Sequence, residues 1–371
     1  MDFGFSEEQE ALRELARKIL GDHTAHDRLK EIEKGPDWFD HALWMELAKA
    51  NLLGVALPAT VGGSGLGFLE LCVLLEEVGR AVAPVPVWPT LLLGALPVNQ
   101  FGTPEQRERL LPKVVSGEGI LTAALLEVTS EDPTAPATTA RAEGRGWRLD
   151  GVKVCVPAAH LAARILVPAR TGKDTVGLFL VDPHAPGVEL ARQTTTNGEP
   201  QFRLALTGTP VEEADVLGDP AGGGRLLTWT VERALVGLCA LQVGVTARAL
   251  EMTAQYTSTR EQFGKPIATF QAVAQRAADA YIDVEAMRWT MWQAAWRLGA
   301  EEPAADEVSV AKFWAADAGY RVAYAAQHLH GGIGLDLDYP VHRFYLWAKQ
   351  IELTLGSATR QLLRLEPARE R

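Results

Sequence analysis

A chain of 371 residues with a net charge of −11 lacks the basic surface that nucleic-acid phosphates require. Its 47% hydrophobic and 22% charged residues are the composition of an ordinary globular protein, long enough for two or three domains. The acidic start Met1-Asp-Phe-Gly-Phe-Ser-Glu-Glu has no apolar signal segment, and the longest small-apolar run, Ala234 to Val245, is too short to cross a bilayer, so a cytoplasmic chain without membrane insertion is expected.

The first part reads as helices. Ser6-x-x-Gln9 is a capping box ahead of the 3–4 spaced stripe Leu12, Leu15, Ala16 and Ile19. A second helix is predicted from about Trp38 to Leu52, ending before Gly54, and Leu57 to Gly67 reads as a loop. Helix resumes over Leu69 to Val82 until the Pro-rich Pro84 to Pro89 breaks it, and Thr103-Pro-Glu-Gln106 starts another with proline at its first position.

From about Gly119 the period shortens to that of strands. Ile120 to Ala124, Trp147 to Val156, Arg164 to Ala169, Val176 to Val181 and Gln201 to Leu206 are β-rich runs separated by turn residues such as Glu143-Gly-Arg-Gly and Thr196-Asn-Gly. Short strands at that spacing predict a small antiparallel barrel or sandwich. After Ala221-Gly-Gly-Gly224 few breakers remain, which predicts a four-helix bundle with helices of about 25–35 residues and loops near Gly264-Lys-Pro, Gly299 to Ala304 and Gly331 to Pro340. The predicted organisation is α+β and multidomain: a helical domain over 1–118, a β domain over 119–222 and a helical bundle over 223–371.

Cys72, Cys155 and Cys239 are far apart among apolar neighbours and read as buried thiols. His328 and His330 have no carboxylate or cysteine at ligand spacing, so no metal is assigned. The most informative stretches are Tyr256-Thr-Ser-Thr-Arg260-Glu-Gln-Phe263-Gly264-Lys-Pro-Ile267, running on to Phe270-Gln271, and Gln327-His-Leu-His330-Gly331-Gly332-Ile-Gly334. An arginine, an aromatic ring and a Gly-Gly turn in one helical region can hold a large phosphate-bearing cofactor. Singly, each has an ordinary reading: a solvated helix-end cation, a core ring, a turn.

Helix–barrel–bundle order, Arg-x-x-Phe-Gly in the first loop of the bundle, His-Gly-Gly-x-Gly later, Pro266-Ile267 and Tyr339-Pro340 together resemble the acyl-CoA dehydrogenase family. That resemblance implies FAD-dependent α,β-dehydrogenation of an acyl-CoA thioester, with electrons passed to an electron-transfer flavoprotein. It implies that Arg260 places a bidentate cation on the FAD diphosphate and that Phe263 offers a flat apolar face near the adenosine. Gln271 would bond a phosphate or ring edge, and Gly331 and Gly332 would let a backbone approach the ADP. These groups would reach FAD held by a neighbouring subunit. Where the family commonly has glutamine three residues before the Gly-Gly, this chain has His328, with Gln327 one earlier.

The resemblance also exposes losses. The family's commoner catalytic carboxylate lies in a Glu-Gly-Thr turn, where this chain reads Leu355-Gly356-Ser357, with Glu352 about one turn away. Its second location immediately precedes an arginine in the first bundle helix, which makes Glu232, before Arg233, the candidate base. Set in an apolar site, such a carboxylate would have a raised pKa suited to taking a proton from carbon, while an ordinary Glu paired with Arg233 is the plain alternative. The glycine-rich loop that contacts the flavin ring is replaced by Ala124 to Pro133, and the Trp-Ile-Thr-like strand by Val154-Cys155-Val156-Pro157. A retained ADP clamp beside a lost ring pocket resembles the smaller subunit of α2β2 steroid side-chain acyl-CoA dehydrogenases, completing the site of a catalytic α-subunit. A self-sufficient homotetramer using Glu232 and a flavin-free structural paralogue are the alternatives.

Overall fold

The computed structural model describes residues 4–129 and 132–365. Six helices come first: α1 (Glu7–His23), α2 (His26–Lys34), α3 (His41–Lys49), α4 (Phe68–Ala81), α5 (Leu96–Phe101) and α6 (Pro104–Val115). Strands β1 (Leu121–Ala123), β2 (Thr139–Glu143), β3 (Gly146–Pro157), β4 (Arg164–Arg170), β5 (Val176–Val181), β6 (Val188–Gln193), β7 (Gln201–Glu212) and β8 (Val216–Leu217) follow. The chain continues through α7 (Gly223–Thr259), the hairpin β9 (Glu261–Gln262) and β10 (Lys265–Pro266), α8 (Gln271–Gly299), α9 (Ala305–His330), α10 (Val341–Leu353) and α11 (Ala358–Leu365). The helical, β, helical order is the expected one.

Local chemistry explains where elements begin. Ser6 and Thr103 each form a reciprocal capping box, with Gln9 and Gln106. The helix predicted over 38–52 is shorter, because the Asp40 carboxylate accepts from Ala42 and Leu43 N–H and sets the start at His41. Asn51, in the left-handed region at φ 56°, closes it before a single 3-10 turn at Leu52–Gly54. α4 ends at Ala81, ahead of the Pro-rich stretch as expected, and helical structure then resumes in a π-helical turn at Pro89–Ala95 that runs into α5.

The residues fall into two compact units that do not follow chain order. One comprises 31–67 and 84–234. Here eight strands form one sheet, seven in the order β6-β7-β3-β2-β4-β5-β8 and β1 off this path beside β4, antiparallel except where β1 and β2 pair parallel with β4. Leu149, Val156, Ile165, Val167, Phe179, Val181 and Leu204 from β3, β4, β5 and β7 meet in one buried core. Bulges break the β3–β7 register after Leu149 and after Lys153.

Within this unit the segment after β1 is fixed by a fully buried ion pair. Glu127 accepts from Lys153 Nζ at 2.6 Å, from the N–H groups of Ala137 (2.6 Å) and Thr138 (3.0 Å), and from the Thr138 hydroxyl at 2.7 Å. Burial alone would raise the Glu127 pKa, but the Lys153 charge and the hydrogen bonds outweigh it and hold the carboxyl below its usual range. Burial pulls Lys153 down to about 8 against the attraction of Glu127.

The second unit is built of the described residues in 1–30, 68–83 and 235–371. Its axis is α7, against which α4 packs backbone to backbone: a Cβ on Gly244 would overlap the Glu76 carbonyl, and one on Gly79 the Leu241 carbonyl. Gly319 of α9 likewise receives the Gln242 side chain. The fully buried Lys312 donates to the carbonyls of Ile351 (2.7 Å) and Glu352 (3.3 Å), a cation on the last turn of α10, although burial lowers it to about 8. The fourth bundle position is two short helices, α10 and α11, rather than one long one. α7 is long and apolar enough to span a membrane, yet 78% of its apolar window is buried inside the fold, as in a core helix.

Lys153→Met should destabilise the protein by about 3–5 kcal/mol, because it leaves the Glu127 charge buried without its partner. Denaturant unfolding measures this, and a loss under about 1 kcal/mol would contradict the assignment. Since Glu127 is depressed, its contribution is complete above the unfolded carboxylate pKa and is lost as pH falls through the folded value.

Candidate functional site

Three of the expected residues lie where α7 hands over to α8. The chain reverses between β9 and β10 in two residues, Phe263 (φ 56°) and Gly264 (φ 75°), both left-handed as such a hairpin turn demands. Glycine meets that demand freely, whereas phenylalanine is strained there. The Phe263 ring is not core, being 94% exposed, with only an edge contact to Phe270 at 6.2 Å. Lys265 Nζ lies 4.6 Å above the same Phe270 ring. Arg260 anchors the hairpin through its backbone, bonded to Tyr256 O and to Ile267 N–H, both at 2.8 Å. Its guanidinium is exposed and has no hydrogen bond or ion pair among the described residues. Gln271, the first residue of α8, is exposed.

The other expected residues lie at the end of α9. His328 is exposed and stacks on Tyr324 at 6.3 Å, while Gln327 is half-buried with its backbone against Gly334. Gly331 ends the helix at φ 63° and ψ −140°, a conformation open only to glycine. Gly332 has ordinary φ, and a Cβ there would meet open space. Nothing in the chain itself requires glycine at 332.

Aromatic contacts bring these two groups to one end of the bundle. Tyr256, four residues before Arg260, stacks on His330 at 4.7 Å, and Arg276 lies 5.3 Å over Tyr324. Sequence reasoning took His330 only as part of the turn and missed this stack. An unpaired guanidinium, an exposed ring, exposed amide and imidazole groups and glycines with clear space fit a diphosphate with an adjoining aromatic base.

In the β-containing unit, Glu232 is half-buried near the start of α7. The neighbouring Arg233 is buried, with its guanidinium 3.8 Å over the Trp229 ring. Glu352, about one turn from the family's commoner carboxylate position, pairs with Lys349 at 2.9 Å. In the replaced ring-contacting segment, Glu127 is committed to Lys153 and Thr138, and Ser130 and Glu131 lie outside the described residues. Cys155 corrects the expectation of three buried thiols. It is exposed, at φ 53° in the second bulge of β3, with its N–H donating to Gln193 Oε1 at 2.8 Å. Alternation along a strand predicts burial, but the bulge turns the side chain out. Partial burial still raises its pKa.

A cavity of about 440 Å³ among α1, α4, α7 and α10 is lined by Arg17, Arg80 and Arg248, which pair with Glu77 and Glu251. None of the sequence-predicted residues lines it. Among the described residues no group of three His, Cys, Asp or Glu is arranged to hold a metal ion.

Comparison with known proteins gives a consistent set of matches. The family model for the acyl-CoA dehydrogenase N-terminal domain matches residues 6–118, and that for the C-terminal domain matches 222–366. The acyl-CoA dehydrogenase FadE27 of Mycobacterium tuberculosis is 39% identical over 373 residues, 98% of each chain. A structure of a variant of the Tcur3481-Tcur3483 steroid ACAD is 49% identical with a TM-score of 0.91, covering 97% of this chain and 96% of that one. A chain of the ChsE4-ChsE5 complex from Mycobacterium tuberculosis is 40% identical with a TM-score of 0.93, covering 98% of both.

The geometry of β3 predicts that a thiol reagent modifies Cys155 ahead of the two buried cysteines, at a rate slowed by its raised pKa, and that Cys155→Ser abolishes this reaction. Rapid modification of Cys72 or Cys239, both buried, would contradict it.

Proposed function

The chain belongs to the acyl-CoA dehydrogenase family, oxidoreductases that act on acyl-CoA, and on that premise we propose that it is the β-subunit of a heterotetramer. That assembly carries out FAD-dependent α,β-dehydrogenation of a steroid or other bulky acyl-CoA, passing electrons to an electron-transfer flavoprotein. In support, similar structures include a steroid ACAD named for two components and a two-component complex.

The observation that carries the reading is the presented hairpin: a strained, 94% exposed Phe263 beside an unpaired Arg260. A ring held out at a left-handed position beside a cation is suited to contact with a bound group.

Each residue then has a task. Arg260 neutralises the diphosphate through charge-assisted bonds, and Phe263 stacks against the adenosine end. Gln271, His328 and Gln327 donate to phosphate or ring edges. Gly331 and Gly332 bring backbone N–H groups close without a Cβ between. Bound FAD supplies the hydride acceptor of the reaction. The proton is taken by the α-subunit, consistent with the absence of a carboxylate at Leu355-Gly356-Ser357.

In the complex co-expressed with a catalytic subunit, Arg260→Ala should weaken FAD binding about 10- to 100-fold, the loss of a charged hydrogen bond, read as flavin absorbance per protein. Unchanged occupancy would overturn the diphosphate role. The half-buried Glu232 supports a second reading, a self-sufficient homotetramer in which it is the base. Glu232→Gln should leave turnover of the complex within about twofold, whereas a loss of about 100-fold or more, the scale of general-base catalysis, would show that this chain carries the base.

A further inference from the structure

We infer that His330 is a positioning residue that joins the Arg260 hairpin and the Gly331–Gly332 turn into one rigid clamp, and that only the neutral imidazole does so. The inference rests on the clamp reading above and deepens it, since nothing in that reading assigns His330 a task.

His330 sits at the meeting point of three segments. It is the last residue of α9, immediately before Gly331, and is 3% exposed, so it holds other groups rather than touching a ligand. Its ring stacks on Tyr256 of α7 at 4.7 Å and 23°. Tyr256 O receives the Arg260 N–H, so displacement of the tyrosine moves the base of the hairpin. On the other side Tyr339, just before α10, approaches the His330 ring at 5.3 Å and the Tyr256 ring at 6.3 Å.

The hydrogen bonds define the protonation state. His330 Nδ1 lies 2.7 Å from the Ala326 carbonyl, which can only accept, so Nδ1 carries the proton. Nε2 is then a lone pair, 3.3 Å from the Tyr339 hydroxyl, which donates to it. Both ring nitrogens are satisfied in this one tautomer. A second proton, on Nε2, would require the Tyr339 hydroxyl to turn from donor to acceptor and would place a charge in a buried aromatic cluster. Among the described residues the titratable groups facing the ring are Tyr256 and Tyr339, and neither offers a carboxylate to stabilise that charge. Burial accordingly pushes the imidazole below its ordinary value, with the Ala326 bond only partly opposing.

The test uses the co-expressed complex stripped of flavin and titrated with FAD, with thermal unfolding of each apo-variant to confirm folding. His330→Leu keeps apolar bulk but loses both hydrogen bonds, and FAD Kd should rise about tenfold, one hydrogen bond's worth of binding. His330→Gln, which restores an acceptor toward Tyr339, should recover most of that loss. Wild-type Kd should stay flat through neutral pH and rise only below the ordinary imidazole range, and both variants should lose this acid rise. A readout free of FAD is the imidazole NMR of the histidine-labelled apo-complex, which should show a protected Nδ1–H and a ring proton shifted upfield, the shift abolished by Tyr256→Leu. A His330→Leu complex with wild-type Kd and pH profile would overturn the inference. If Arg260→Ala weakens FAD while His330→Leu does not, the clamp stands and only the role of His330 falls; if Arg260→Ala has no effect, the clamp reading itself has failed.

Discussion

The contact on which this architecture depends is the backbone-to-backbone crossing of α4 and α7 at Gly79 and Gly244. Neither position has room for a methyl group, so α7 is fixed in rotation and translation against α4. Every functional candidate on α7 inherits that register. Its last turn carries Tyr256, and the chain must leave Thr259 and reverse within the span of one hairpin to begin α8. The reversal uses two left-handed residues, one of them phenylalanine, and the geometry that satisfies the turn also throws the Phe263 ring into solvent. Packing at one point of a helix thus becomes presentation at its end.

The two candidate regions have opposite physical character. At the end of the bundle, polar and aromatic groups are offered outward: Arg260 without a partner, Gly332 without a neighbour, Phe263 without a cover. In the segment following β1, the chain consumes its own polar groups. Glu127 takes four hydrogen bonds from Lys153, Ala137 and Thr138, leaving no acceptor capacity to share. The first region offers polar groups to a ligand, and the second satisfies its own.

Much of this was legible in the sequence because its causes are local. Capping boxes at Ser6 and Thr103, the shift to strand period after Gly119 and the breakers at Gly264, Gly299 and Gly331 are each set by a few adjacent residues, and all three bundle loops fall where predicted. What the sequence hid was decided by tertiary contacts. Strands β2, β6 and β8 are too short or too exposed to show a pattern and exist because β3, β7 and β5 pair with them. Pro89 reads as part of a breaking stretch but stands at the start of a π-helical turn. Cys155 reads as core until a bulge reverses it. At the candidate site, Arg260, Phe263 and the Gly-Gly turn carry their own signature, whereas the clasp of Tyr256, His330 and Tyr339 joins residues 74 and 9 positions apart and has no local mark.

The central claim is that this chain presents a cofactor clamp to a partner rather than holding a flavin alone. Flavin stoichiometry tests it directly: absorbance of the purified chain expressed by itself, and of the same chain co-purified with a catalytic subunit. The account predicts no bound flavin in the first preparation and fewer FADs than chains in the second. A chain that binds a full complement of FAD and dehydrogenates acyl-CoA without any partner would contradict it.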